Sequence, residues 1–199
     1  MAAQALTLPG RLALVADHMV LALRTSPADH EPTFVLSWYG VEYAANAPGG
    51  NLGFIRAAGV DGGEIILTDS PGLDRALRRR LQPRSWPFRD TPEVARAATF
   101  ARSGIRDGAV DARIEGPGLV VEVSWRALGE PIVANGRVGA DPPWDSSTVL
   151  IEAGGWSASV NGLAVAGEPF PNDVWIGWFG RPLSSALVAF AEVFREAST

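Results

Sequence analysis

The chain contains no cysteine and no lysine, and it has only two histidines, two methionines and two tyrosines. Without cysteine there are no thiolate nucleophiles, no disulfides, no thiolate zinc sites and no protein-held iron–sulfur clusters, so packing must supply stability. Without lysine there is no Schiff-base chemistry, no lysine general base and no phosphate-binding lysine of a P-loop. All 17 basic side chains are arginine, which fits a GC-rich, bacterial coding bias. The longest near-apolar stretch, residues 12–23, is interrupted by Asp17 and His18. It is shorter than the about 20 residues of a membrane span, and no membrane association is expected. The opening MAAQALTLPGR lacks a basic segment leading into an apolar one, so no secretory signal is read and a cytoplasmic location is expected.

The 199 residues are 47% hydrophobic and 20% charged, the composition of a globular chain long enough for one domain with a sizeable core. No repeat or linker divides it, and residues 1–199 are read as a single domain. Short alternating segments dominate. The stretch TFVLSWYGVEYA is rich in aromatic and β-branched residues, and LGFIRAAGVDGGEIILTD reads as a hairpin turning at Asp61-Gly62. In LVVEVSWRAL, Val121, Val123 and Trp125 alternate with Glu122, Ser124 and Arg126, which places one face in a core and one in water. Further strands are read in AVDARIE, PIVANGRV, STVLIEA, GWSASV, LAVAG and VWIGWF, with Asn161-Gly162 as another hairpin turn. Residues 12–23 fit either a strand or a helix.

Three helices are expected. Ser70-Pro71 caps a first one carrying Leu73, Leu77 and Leu81; Thr91-Pro92-Glu93 opens a second through Ala101. A third runs from about Pro182 to Ala197 with Leu183, Leu187, Phe190 and Phe194 as its apolar stripe. The fold class expected is therefore α+β: a strongly curved antiparallel sheet, barrel-like or a sandwich, with two inserted helices and a C-terminal helix.

Both histidines follow Ala-Asp. His18 lies among Leu14, Val15, Val20 and Leu21 and is expected to be buried, facing the core or a pocket, whereas His30 in SPADHEP is expected to be exposed. His18 is the best acid/base candidate, with Glu42 and Tyr43 of SWYGVEY beside it. A buried histidine satisfied by neighbours is the plainer alternative. Seven tryptophans stand against two tyrosines. Trp38, Trp125, Trp156, Trp175 and Trp178 are core on the plain reading and the lining of an aromatic ligand pocket on the functional one.

No metal-ligand spacing occurs, the glycine-rich APGGNLG precedes a strand rather than a helix, and no G-x-S-x-G elbow exists. No metal or other cofactor is therefore expected. Residues 70–106 carry a local charge of +6 in a chain of net charge -5, and Arg78, Arg79 and Arg80 form its densest run. An acidic total repels polyanions, so nucleic acid is not expected as a partner.

Two functions compete. The leading one is a cofactor-independent small-molecule protein with an aromatic-lined pocket. It would bind an apolar or aromatic ligand or catalyse proton transfer as an isomerase, cyclase or hydratase. The rival is a non-catalytic interaction protein that uses residues 70–106, and Arg78, Arg79 and Arg80 above all, to hold an acidic partner or anionic ligand. Homo-oligomerisation is left open by the sequence.

Overall fold

The computed structural model describes residues 11–45, 48–60, 62–75, 77, 95–138 and 144–196, with the backbone alone for residues 137, 138, 144, 174, 177 and 178. Fourteen strands are described: β1 (Leu12–Leu23), β2 (Phe34–Ala44), β3 (Gly50–Arg56), β4 (Glu64–Thr68), β5 (Arg96–Ala97), β6 (Thr99–Arg102), β7 (Val110–Gly116), β8 (Leu119–Leu128), β9 (Ile132–Val138), β10 (Trp144–Val160), β11 (Leu163–Ala164), β12 (Pro171–Asn172), β13 (Leu183–Ser184) and β14 (Ala186–Glu196). Twelve of them form one sheet in the order β5-β4-β3-β2-β1-β14-β10-β8-β7-β6, with β9 and β11 also on β10, while β12 and β13 pair separately. A 3₁₀ turn, Asp173–Trp175, and a four-residue helix, Ile176–Phe179, lie between those last two strands. No helix among the described residues is long and apolar enough to cross a membrane.

The α+β expectation is thus corrected: among the described residues the fold is nearly all β, and the expected set of two inserted helices and a C-terminal helix is not present there. Residues 182–197 form β13 and β14 instead of the third helix. The reason lies in burial on both faces. Ala186 and Val188 point into one core cluster and Leu187 and Ala189 into another, so the first half of the strand is apolar on both faces and its spacing mimics a helical stripe. The second expected helix gives way to β5 and β6. Ala98 donates its N–H to the Thr68 carbonyl at 3.0 Å, and β6 pairs along β7, so tertiary pairing overrides local propensity. Of the first expected helix, residues 73–75 and 77 are helical and residues 78–81 lie outside the described residues. The segment VWIGWF, read as a strand, is the 3₁₀ turn and short helix.

The stretch 96–102 nearly closes the sheet on itself. Its first part runs parallel to β4 and its second part antiparallel to β7, so it bridges the two ends of the strand order. The resulting barrel is filled by Met19, Leu21, Trp38, Ile55, Val121, Val123, Trp125 and their neighbours. The outer face of β2, β1, β14 and β10 is also buried, by two further clusters. One gathers Leu14, Ala16, Val41, Phe54, Leu73 and Leu77 with Phe194. The other gathers Leu150, Leu183, Leu187 and Ala189 with Val20, Trp175 and Phe179.

Candidate functional site

Between those two outer clusters runs a narrow polar strip. Along β1 it falls between Ala16 and Val20, at His18; along β14 between Phe194 and Ala189, at Glu192. Strand β2 contributes Ser37 and Tyr39, and β10 contributes Ser146 and Thr148. Buried polar groups in a sheet face are costly unless paired, so each pairing in the strip carries information.

His18 is held on three sides. One ring nitrogen, Nε2, hydrogen-bonds Ser37 Oγ at 2.8 Å, and the ring stacks on Tyr39 with centroids 3.9 Å apart and planes 12° from parallel. The other nitrogen, Nδ1, lies 3.8 Å from Glu192 Oε2. That distance is too long for a hydrogen bond. Burial pushes the imidazole down to about 3, so it is neutral at neutral pH and the contact is not an ion pair. Burial, and secondly the charge of Asp17, pushes the Glu192 carboxyl up to about 7. The environment therefore separates the two groups in a sense opposite to their ordinary order: the histidine is the weak base and the carboxyl is the group that titrates near neutrality.

A β-bulge builds this arrangement. Pairing of β1 with β14 shifts register between Ala16 and His18, and pairing of β10 with β14 shifts between Ser147 and Val149. Ala191 takes a positive φ of 49 at the bulge, and Asp17 Oδ1 accepts its N–H at 2.9 Å. The other carboxylate oxygen of Asp17 is paired with Arg102 of β6. Thr148 lies opposite the bulge. Thr148 Oγ1 and Glu192 Oε2 are both buried and have no hydrogen-bond partner among the described residues.

The sequence candidates are only partly assembled here. His18 belongs to the strip, with its side chain 15% exposed. Glu42 and Tyr43 do not: a second bulge pairs Val41 with Ala16 and Tyr43 with Val15, leaving Glu42 as the extra, exposed residue, and Tyr43 is 44% exposed. Tyr39 takes the place expected of Tyr43. His30 is exposed in its turn, where its carbonyl accepts from Arg24.

The tryptophans are dispersed. Trp38 and Trp125 fill the barrel core, donating their indole N–H groups to Asn51 Oδ1 at 2.9 Å and to the Val20 carbonyl at 2.8 Å. Trp156 packs partly buried against that core, and Trp175 packs outside it near Phe179. The Trp178 side chain and Arg78, Arg79 and Arg80 lie outside the described residues. Sequence reasoning missed Glu192, Ser37 and Thr148. The available signal was one carboxylate within the otherwise apolar ALVAFAEVF, a position outside the apolar stripe of the helical reading.

A separate open groove of about 550 Å³ lies on the exposed face of β6, β7, β8 and β10, lined by residues that include Arg102, Asp111, Arg113 and Glu122. Its charges are each paired: Arg113 with Glu115 and Glu122, Asp111 with Arg126, and Arg102 with Asp17.

No family model and no solved structure matches the chain. It is 29% identical over 196 residues to a putative inactive phenolphthiocerol synthesis polyketide synthase type I of Mycobacterium tuberculosis, and 29% identical over 196 residues to a phenolphthiocerol synthesis polyketide synthase type I of Mycobacterium bovis. The matches cover 90% of this chain and 11% and 8% of those two proteins, so the chain spans about a tenth of the relatives' length.

Proposed function

We propose that the protein is a cofactor-independent acid/base enzyme acting on an apolar small molecule, an isomerase, cyclase or hydratase in type, with Glu192 as its proton carrier. The observation that carries this reading is the buried Glu192 carboxyl, raised to about 7, beside a neutral imidazole 3.8 Å away. A group whose proton affinity matches the working pH is the most effective general acid/base, and paired groups driven apart by their surroundings mark acid/base sites. His18 keeps its neutral ring against Ser37 and Tyr39 and lies beside the carboxyl. The two apolar clusters flanking the strip suit a ligand with a polar centre and apolar arms. The likeness to polyketide synthases supports the same direction, because polyketide chains are apolar compounds bearing carbonyl groups with acidic neighbouring C–H bonds.

The test is deuterium incorporation from D₂O into a panel of aliphatic ketones and acyl thioesters, followed by proton NMR. The wild-type protein is expected to catalyse exchange into at least one compound, with a rate that rises through a midpoint near pH 7. Glu192→Gln is expected to lose about 100-fold or more of that rate. Equal rates for the variant and the wild type would overturn the reading.

A further inference from the structure

We propose that Thr148 is the substrate-orienting hydroxyl of this site and that the substrate is a compound with a central carbonyl between two apolar arms, its oxygen bound by Thr148 Oγ1. The inference rests on the acid/base reading of Glu192 and adds its substrate class. Three observations carry it. Thr148 sits on the same outer sheet face as Glu192, directly across from the bulge that presents the carboxyl. Thr148 is 2% exposed, and its hydroxyl has no partner among the described residues, although a threonine hydroxyl buried in a sheet face ordinarily finds an acceptor or donor. Glu192 Oε2, the second unpartnered polar atom of the strip, lies on the neighbouring strand, and hydrogen-bonded strands are about 4.8 Å apart. Such a pair, one hydroxyl donor and one carboxylate, matches a carbonyl oxygen and the adjacent C–H bond. Val20, Leu150 and Ala189 on one side and Ala16 and Phe194 on the other make the surroundings of the pair apolar on both flanks.

The step is balanced without any external reagent. The Glu192 carboxylate takes the proton from the carbon next to the carbonyl, and the C–H electron pair becomes the C=C bond of the enolate. The carbonyl π pair moves to oxygen, where Thr148 donates its hydrogen bond. Return of the proton from Glu192 to that carbon, or to a carbon conjugated with it, restores the carboxylate and leaves the substrate unchanged or isomerised. A donor aimed at the developing oxyanion accelerates such a step because it needs no reorganisation.

The probe is nonan-5-one, a ketone with two equal butyl arms, in D₂O. Wild-type protein is expected to catalyse exchange of its α-protons. Thr148→Val is expected to lose about 100-fold of the rate while melting at or above the wild-type temperature, since the hydroxyl it removes makes no hydrogen bond; Thr148→Ser is expected to keep most of the rate. A Thr148→Val protein as fast as the wild type, with Glu192→Gln slow, overturns the role of Thr148 and leaves the acid/base reading standing. Exchange into other ketones or thioesters but not into nonan-5-one overturns the substrate class. Wild-type rates in Glu192→Gln, or no exchange into any compound of the panel, overturn both.

Discussion

Asp17 Oδ1 accepts the backbone N–H of Ala191 at 2.9 Å, and by doing so it fixes the residue immediately before Glu192. Ala191 has a left-handed φ of 49, a conformation that costs an L-residue about 1 kcal/mol or more. The side-chain acceptor on β1 offsets that cost and holds the bulge open. Asp17 thereby places the carboxyl whose proton affinity its own charge also raises.

Asp17→Asn keeps the first effect and removes the second, together with the ion pair to Arg102. The amide oxygen still accepts the Ala191 N–H, so the bulge is expected to persist, while the negative charge is removed. The Glu192 midpoint is then expected to fall below about 7 yet stay above the ordinary 4.5, because burial, the larger cause, is untouched. Carbon-13 NMR of the labelled glutamate carboxyl in both proteins measures the shift. An unchanged midpoint would remove Asp17 from the groups that tune Glu192.

The His18–Glu192 pair makes a distinct prediction for stability against pH. The folded His18 titrates at about 3 against an ordinary 6.5, so its contribution is lost as pH falls through that interval. The folded Glu192 titrates at about 7 against 4.5, so its contribution is lost as pH rises through that one. Between pH 4.5 and 6.5 the slopes oppose: the unfolded chain holds one proton on the imidazole and the folded chain holds it on the carboxyl. The pair is expected to contribute no pH dependence there. Glu192→Gln leaves the histidine slope alone, and stability should rise with pH by as much as about 1.4 kcal/mol per unit; His18→Asn should give a slope of opposite sign. Urea unfolding of the three proteins at pH 5.0, 5.5, 6.0 and 6.5 reads this directly, and parallel profiles would contradict it.

Much of the strand framework was legible because single residues carry it. Asn161 and Gly162 have φ of 51 and 78, the two positive values that a tight hairpin needs, and they join β10 to β11. The alternation in LVVEVSWRAL appears as Val121, Val123 and Trp125 inside with Glu122 and Arg126 exposed. The reading failed where a strand is buried on both faces. In β14 an inner and an outer core cluster remove the alternation, so Leu187, Phe190 and Phe194 fit a helix equally well. That misreading also hid the site, since Glu192 meets His18 only in a strand with a bulge. Residues 174 distant in sequence, such as Asp17 and Ala191, leave no local signal of their meeting.

The tryptophans, alike in sequence, should differ in energetic weight. Trp125 is 0% exposed inside the barrel and its indole N–H is bound to Val20. Trp125→Ala is expected to cost about 3–5 kcal/mol, the range for deleting a buried aromatic. Trp156, paired directly with Trp125 in register but only partly buried, should cost clearly less when truncated. Denaturant unfolding with unchanged m-values measures both, and equal losses would mean that Trp156 is as much a part of the core as Trp125.

Closure of the barrel can be tested at Gly53. A Cβ added there would lie 3.1 Å from Phe100 Cε1 and 3.2 Å from Ile114 Cδ1, so β3 and the closing strand β6 approach each other across a position where a methyl group fits only if a neighbouring side chain shifts. Phe100 in turn packs on Trp38, with ring centroids 5.5 Å apart. An alanine at 53 must therefore push either Phe100 or Ile114 away, and Gly53→Ala is expected to destabilise by about 1–3 kcal/mol, the usual cost of overpacking. If the strain is transmitted through Phe100, Phe100→Leu should relieve part of it, and the double variant should be more stable than the sum of the two single losses implies. Amide hydrogen exchange locates the effect: protection should fall first at residues 99–102, where β6 pairs with β7, while β1 and β2 keep theirs. Additive losses with uniform exchange would place the strain at Ile114 instead and leave the closing strand out of the account.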